Sequence, residues 1–365
     1  MPNLKSCTGT DIMLSDLQNY LSENDCCALI ISPENIRYFT GFETSNGYLA
    51  VSGGTAVFIT DGRYIEAAEK AVKNCEVRLQ LRIYPQLAEI LNGMGCRRLL
   101  VEATGMNLSV YNSLKGVLKN INILTDTTLD SVINTLRSVK TPQEVEMIEK
   151  AQQIAESAFE HILGFIKPGV TQKEVAMELD RHMLRNGADA VSFETIAVSG
   201  TKTSMPHGVP GAEKIENGDF VTMDFGAVFG GYHSDMTRTV AVGSVSEEMK
   251  KVYFTVLEAQ KACLEILAES VPCTKADSAA RSVIEKAGYG EYFTHSTGHG
   301  VGVEIHEYPN LAPSSKSVLK AGNIVTVEPG IYMPGKFGVR IEDMAYITKN
   351  GCVNLTQAPK ELIIL

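Results

Sequence analysis

The chain has 365 residues, 44% of them hydrophobic and 21% charged, which is typical of a globular protein and, at this length, favours two domains over one. Its formal net charge of -10 argues against a general nucleic-acid binder, because neutralising phosphates requires a basic face, and the lack of a long apolar run argues against a membrane protein. The eight cysteines form no CxxC pair and the first residues contain no apolar signal-peptide stretch, so we expect reduced thiols and a cytoplasmic protein.

Residues 1–137 alternate strand-like and helix-like segments, which predicts an α/β domain of modest size. Gly53 and Gly54 are expected at the turn of a hairpin over residues 48–60. The other predicted strands are 28–32, 97–103 and 121–125, and the predicted helices are 62–72 and 108–120.

A second domain is expected over residues 138–365, and it opens with a well-marked helix. Thr141 is the predicted N-cap, Pro142 takes the first helical position, and Glu144 completes a capping box. The same Thr/Glu spacing opens a second helix at Thr171.

A similar pair of helices is predicted further along the chain. The first spans residues 247–270, and Thr274 with Asp277 is expected to cap the second, which ends at Gly288. Because strand-like sequence follows each pair, we predict an internal duplication of two αα-then-β halves. A site between two such halves would take ligands from both.

Residues 220–242 alternate on both sides of Gly230-Gly231, which predicts a hairpin with a type I′ turn. This register places Asp224 opposite Thr237 and makes Asp224 and Asp235 diagonal neighbours, roughly 7 Å apart, on one face. Two carboxylates at that spacing repel each other unless a cation lies between them. The alternative is a pair of solvated acids on an exposed hairpin.

Two more carboxylates lie in residues 323–347. Glu328 is predicted to end an apolar strand, and Glu342 is predicted to lie inside another, on the same face as Arg340. The alternative is a surface arginine–glutamate pair, which would contribute little stability.

The stretch "HSTGHGVGVEIHEYP" contains three of the seven histidines, together with three glycines that argue against a helix. Read as a strand, it allows a ligand or another backbone to come close. His306 is an odd number of residues after His299, so the two side chains can share a site only if the strand bulges or ends between them.

Together these carboxylates and one imidazole suit two hard or borderline divalent ions, for which Mn²⁺, Co²⁺, Fe²⁺ and Zn²⁺ are the candidates. The set contains no thiolate, which argues against a structural zinc site. Two ions can share a hydroxide, which supplies a nucleophile without a serine or cysteine.

The sequence resembles the pita-bread metallopeptidases, which include aminopeptidase P, prolidase and methionine aminopeptidase, with creatinase as a metal-free relative. "NIRYFTGF" and "ITDGRYIEAA" resemble the N-terminal domain of aminopeptidase P and prolidase. "VKTPQEVEMIEKA", "GADAVSFETIAVSG" and "PHGVP" resemble the start of their catalytic domain. The resemblance covers nearly the whole chain and implies an α+β fold, in which a smaller α/β domain of the creatinase type precedes a pita-bread catalytic domain.

The resemblance also implies five metal ligands, in the motifs "DFG", "SDMTRT", "GHGVG", "VEPG" and "VRIED": Asp224, Asp235, His299, Glu328 and Glu342. Asp235 and Glu342 would bridge the two ions. Glu328 would also act as the general base and then carry the proton to the leaving nitrogen.

Four more residues receive roles from the same resemblance. His306 would donate a hydrogen bond to the scissile carbonyl, and His207 would sit near the scissile nitrogen. Arg340 and Thr237 would orient the ligand carboxylates.

We therefore predict a cytoplasmic, homodimeric metallo-aminopeptidase that removes the residue before proline from peptides with proline at the second position. Prolidase is the alternative within the family, and the aminopeptidase P type is preferred because the chain is compact. An inactive protein-binding scaffold and a metal-storing protein are the rivals of other classes. The full ligand set argues against the scaffold, and the pair His207 and His306 argues against storage.

Overall fold

The structure is a computed structural model that describes residues 9–365, so the N-terminal segment with Cys7 lies outside the described residues. The chain divides into two compact units, the first ending at Leu136 and the second beginning at Arg137. Within residues 9–365 the cysteines are free thiols, and no helix there is both long enough and apolar enough to cross a membrane.

The first unit is built on a mixed six-stranded sheet in the order β4-β3-β2-β1-β5-β6. Its strands are β1 (Cys27–Ile30), β2 (Gly47–Val51), β3 (Ala56–Thr60), β4 (Glu76–Leu79), β5 (Arg98–Val101) and β6 (Asn122–Leu124). Its helices are α1 (Gly9–Glu23), α2 (Pro33–Thr40), α3 (Ile65–Ala71), α4 (Ile83–Gly93), α5 (Leu108–Val117) and α6 (Thr128–Ser138). The predicted hairpin is β2 and β3, with Val51 opposite Ala56. Sequence reasoning missed α1, α2, β4, α4 and α6.

The second unit contains two helical pairs, which are α7 (Pro142–Leu163), α8 (Gln172–Arg185), α9 (Glu247–Ile266) and α10 (Cys273–Lys286). Capping boxes open α7 at Thr141 and α8 at Thr171, as predicted. The predicted cap of α10 is wrong, because the helix begins one residue before Thr274. The carboxylate of Asp277 instead accepts from the Thr297 hydroxyl at 2.8 Å and pairs with Arg281 at 2.8 Å.

Four sheets accompany these helices, with the orders β11-β10-β7, β12-β9-β8, β14-β13-β15-β18-β19 and β16-β17. The strands of the first half are β7 (Ala190–Val191), β8 (Ile196–Ser199), β9 (Phe220–Phe225), β10 (Ala227–Phe229), β11 (Tyr232–His233) and β12 (Met236–Ala241). Those of the second half are β13 (Gly298–Gly300), β14 (Glu307–Leu311), β15 (Ile324–Val327), β16 (Gly330–Met333), β17 (Phe337–Arg340), β18 (Asp343–Thr348) and β19 (Gly351–Asn354).

Each helical pair buries its apolar face against the strands that follow it. Phe159 and Leu179 of the first pair share a core with Met223 of β9, and Val256 of the second pair shares one with Val325 of β15. The halves meet where β12 lies against the chain around residue 341, since the Glu342 amide donates to the Thr237 carbonyl at 3.1 Å. The αα-then-β organisation predicted from the sequence is therefore present.

Candidate metal centre

The 220–242 hairpin supplies the first two carboxylates. Gly230 and Gly231 both have positive φ, at 59° and 82°, as a type I′ turn requires, and Asp224 pairs with Thr237 in the predicted register. Asp224 is on β9, and Asp235 immediately precedes β12. The predicted register is confirmed, although the ribbon is divided between two sheets.

The second half supplies one histidine, His299, from a short strand in which two glycines allow neighbouring backbones to come close. His299 is the central residue of β13, and added Cβ atoms at Gly298 and Gly300 would collide with the backbones of Thr326 and Tyr308. The ladder shifts register between those glycines, and β13 ends at Gly300, which fulfils the prediction that the strand bulges or ends between His299 and His306. The strand ends there, and the loop 301–306 brings His306 back, with its ring centroid 4.4 Å from that of His299.

The remaining two carboxylates lie beside strands of the second half. Glu328 follows β15 directly, as predicted. The prediction that Glu342 lies inside a strand with Arg340 is wrong, because β17 ends at Arg340 and β18 begins at Asp343. Both side chains nevertheless reach Thr237, whose hydroxyl accepts from Arg340 Nε at 3.0 Å and donates to Glu342 Oε2 at 2.6 Å.

These side chains converge on one point between the two halves. Asp235, His299 and Glu342 each place one ligand atom within 4.8 Å of the others. His299 Nε2 is 3.6 Å from Asp235 Oδ2 and 3.3 Å from Glu328 Oε1. His299 Nδ1 lies 3.0 Å from the Gly300 carbonyl, which can only accept, so Nδ1 carries the proton and Nε2 presents a lone pair.

Three carboxylate oxygens at this point are buried and have no hydrogen-bond partner among residues 9–365: Asp224 Oδ1, Asp235 Oδ1 and Glu342 Oε1. Buried oxygens are rarely left unpaired, because desolvation is costly. A divalent cation would satisfy them, so the donor set fits a metal.

Burial and mutual repulsion also set the protonation of the metal-free site. Burial, followed by the neighbouring Glu342 charge, raises the pKa of Asp235 well above its ordinary value. The pKa of Glu342 is likewise raised by burial and then by Glu328. Burial raises the pKa of Glu328 to about 7. Metal binding must therefore displace protons.

The guanidinium of Arg340 offsets part of the negative charge of these carboxylates. Its Nη2 lies 2.5 Å from Asp224 Oδ2, and its Nη1 donates to the Tyr332 hydroxyl at 2.9 Å and the Pro206 carbonyl at 3.2 Å. The same guanidinium thus connects a candidate ligand with the segment that precedes His207.

His295, the first histidine of the stretch that contains His299 and His306, also lines the cavity. Its Nδ1 donates to the Ser296 carbonyl at 2.8 Å, so its Nε2 accepts from the Tyr332 hydroxyl, 2.9 Å away. Burial lowers the pKa of His295 to about 4, which keeps the ring neutral. Tyr332 was missed, since its position four residues after Glu328 carries no distinctive sequence signal.

A cavity of about 620 Å³ opens onto these groups. Its lining contains all eight predicted metal-binding or catalytic residues, which are His207, Asp224, Asp235, His299, His306, Glu328, Arg340 and Glu342. Apolar side chains such as Phe193, Val209 and Ile305 line other parts of it. His161 and His182 instead stack on each other, with ring centroids 4.4 Å apart, on α7 and α8.

Comparisons with known proteins identify the class. Residues 146–349 match the sequence profile of Metallopeptidase family M24, and residues 13–139 match that of the Creatinase/Prolidase N-terminal domain. The fold and the site therefore define a metallopeptidase.

Similar proteins align with nearly the full length of this chain. A protein named Xaa-Pro dipeptidase from Pyrococcus furiosus is 39% identical over 96% of this chain and 99% of its own length. The solved structure named Xaa-Pro dipeptidase from Bacillus anthracis is 41% identical, with a TM-score of 0.94 over 98% of this chain and 100% of that one. The X-Pro aminopeptidase structure from Thermotoga maritima is 35% identical, with a TM-score of 0.87 over 93% and 97%. The chain belongs to metallopeptidase family M24, as its resemblance to the pita-bread enzymes predicts.

Proposed function

We propose that this metallopeptidase hydrolyses the bond between an N-terminal residue and proline, and that its preferred substrate is the Xaa-Pro dipeptide. The observation that supports this most directly is a carboxylate–histidine centre in a chain that aligns end to end with proteins named Xaa-Pro dipeptidase.

The comparisons favour this dipeptidase alternative over the aminopeptidase P type preferred from the sequence. That preference relied on the compactness of the chain, which does not separate the two, because the alignment covers 99% of the P. furiosus dipeptidase. The X-Pro aminopeptidase stays the second candidate, supported by the Thermotoga maritima structure.

The residues that would hold two divalent ions are Asp224, Asp235, His299, Glu328 and Glu342. Mn²⁺ is the first choice, and Co²⁺, Zn²⁺ and Fe²⁺ are alternatives. When bound, such ions lower the pKa of water toward about 7 and polarise a carbonyl. The three unpaired carboxylate oxygens support this assignment.

The other groups act on the substrate. Glu328 accepts a proton from the attacking water and delivers it to the proline nitrogen as the bond breaks. His306 donates a hydrogen bond to the carbonyl oxygen as its negative charge develops, and His207 lies beside the leaving nitrogen. Because an Xaa-Pro bond is a tertiary amide without an N–H, recognition cannot use a hydrogen bond from that nitrogen.

The test compares Ala-Pro, Ala-Pro-Ala and Ala-Ala as substrates of the Mn²⁺-loaded protein, with Asp235→Asn as the matched control. We expect alanine release from Ala-Pro with the highest kcat/KM, no release from Ala-Ala, and little activity in the control. Faster cleavage of Ala-Pro-Ala would favour the aminopeptidase. If neither proline peptide is cleaved although metal is bound, the proposal is wrong.

A further inference from the structure

A buried ion cluster adjoins His306 in the chain. Glu307, the next residue, is 7% exposed, and its cationic partners Arg137 and Lys140 are 4% and 5% exposed. Arg137 Nη2 lies 2.5 Å from Glu307 Oε1, and Lys140 Nζ lies 2.9 Å from Glu307 Oε2. Arg137 also pairs with Glu304 at 2.7 Å. Two cations and two carboxylates therefore balance one another.

The Glu307 carboxylate also braces the loop 301–306. The Glu304 amide donates to Glu307 Oε1 at 3.1 Å, and the Gly302 amide donates to the Glu304 carbonyl at 3.0 Å. An added Cβ at Gly302 would collide with the Glu307 carboxylate, so the third glycine of the motif makes room for it. The Gly302 carbonyl accepts from the His233 amide at 2.9 Å, which fixes the loop from a second direction.

This braced loop presents His306 to the cavity, 4.4 Å from the His299 ring. The chain is hydrogen-bonded two residues before His306 and anchored by a buried carboxylate one residue after it, so the position of its ring depends on both contacts. A buried ion pair is not needed for stability, since apolar residues of similar volume often stabilise a fold as well. What the ions add is directional contacts that define where the loop lies.

We propose that Lys140 and Arg137 are positioning residues for His306, which they place over the scissile carbonyl through Glu307. The inference rests on the proposed function, in which His306 donates to the carbonyl oxygen. The lining of the cavity includes neither Lys140 nor Arg137, so both act through Glu307.

The test is a double-mutant cycle in the full-length, Mn²⁺-loaded protein, with Ala-Pro as the substrate. We expect Lys140→Met to lower kcat roughly tenfold or more with little change in KM or metal content, since small displacements of a catalytic group are costly. Lys140→Arg should recover most of the loss. Lys150→Met is the matched control, since Lys150 lies in α7, ten residues after Lys140, and makes an exposed pair with Glu146 at 2.7 Å.

The cycle separates positioning from a structural role. In an His306→Ala background, Lys140→Met should change kcat by less than about twofold, because the positioned group is gone. An equal loss in both backgrounds would overturn the inference. If Lys140→Met does not fold, Arg137→Lys serves in its place, since it keeps the positive charge but loses the contacts that the guanidinium Nε and Nη2 make with Glu307 Oε1.

A second readout needs neither activity nor metal. In ¹⁵N-histidine-labelled, metal-free protein, the ring signals of His306 are assigned by their loss in His306→Ala. We expect Arg137→Lys or Lys140→Met to shift them, while the signals of His161 and His182 stay in place. Unmoved His306 signals would contradict the inference even if Ala-Pro is cleaved. Conversely, if the wild type does not cleave Ala-Pro but the variants shift the His306 signals, only the proposed function is contradicted.

Discussion

Arg340 Nη2 lies 2.5 Å from Asp224 Oδ2, while Asp224 Oδ1 has no hydrogen-bond partner in the described part of the chain. The guanidinium is itself fixed by hydrogen bonds to Thr237 and Tyr332. Arg340 therefore holds the carboxylate in one orientation, with one oxygen engaged and the other available to a metal.

Replacing Arg340 by methionine should weaken metal binding by about 10- to 100-fold, as for other residues that orient ligands. Arg340→Lys should recover little, because an ammonium cannot reproduce the fork that contacts Asp224, Thr237 and Tyr332. Mn²⁺ titration of the metal-free proteins measures the effect, with the exposed Arg181→Met as the control. Wild-type affinity in Arg340→Met would show that the pair does not orient Asp224.

The three buried carboxyl groups of the metal-free site should contribute less to stability as the pH rises from about 4 to 7. The pKa of Glu328 is raised in the folded state from its ordinary 4.5 to about 7, and those of Asp235 and Glu342 are also raised. At these groups the folded state binds more protons than the unfolded state, so their contribution to the free energy of unfolding falls with increasing pH. The lowered pKa values of His295, His299 and His306 act in the opposite direction, so the contribution of a carboxyl group is measured against a variant that lacks it.

Thermal melts at several pH values, in EDTA and in Mn²⁺, measure this trend. In EDTA the melting temperature of the wild type should fall relative to that of Glu328→Gln as the pH rises, and Mn²⁺ addition at pH 6 should acidify a weakly buffered solution. A wild-type melting temperature in EDTA that rises relative to that of Glu328→Gln over this range would contradict the raised pKa of Glu328.

His306→Ala should lower kcat by about 10²- to 10³-fold, the usual effect of removing one donor to a developing oxyanion. Its metal content should stay at the wild-type level, whereas His299→Ala should lose metal. His161→Ala is the matched control, because that ring stacks on His182 outside the cavity lining. Loss of metal from His306→Ala would instead make His306 a ligand.

Gly302→Ala should destabilise the protein by about 1–3 kcal/mol, as overpacking of a buried site generally does. The added methyl group would collide with a Glu307 carboxylate that Arg137 and Lys140 prevent from moving away. Urea unfolding measures the change. Gly54→Ala is the control, because nothing lies within 4 Å of a Cβ at that turn. Equal stability of the two variants would show that the Glu307 carboxylate can move away from the added methyl group.

Local patterns were enough to predict the register that places Asp224 and Asp235 on one face of the hairpin. The turn at Gly230-Gly231 sets the pairing of the hairpin. Because neither strand contains an extra, unpaired residue between the turn and Asp224 or Asp235, counting from the turn gives the correct register. The capping boxes at Thr141 and Thr171 succeeded because each requires contacts within four residues only.

Contacts distant in sequence could not be predicted in this way. Arg137 and Glu307 are 170 positions apart, and no local period links them. Glu342 was assigned to a strand because it lies between apolar residues, whereas the backbone leaves the β ladder there and its amide donates to Thr237. The assignment of the carboxylates in the second half therefore depended on family motifs and not on register.

The proposed metal site takes Asp224 and Asp235 from the first helical-pair half, and His299, Glu328 and Glu342 from the second. If the chain were divided in the short link between β12 and α9, each fragment would keep a helical pair with its own strands but only part of the coordination sphere. Neither fragment alone should bind Mn²⁺ tightly. Mixing the two would restore binding only by complementation, so metal retention would report directly on the reassembly of the two halves.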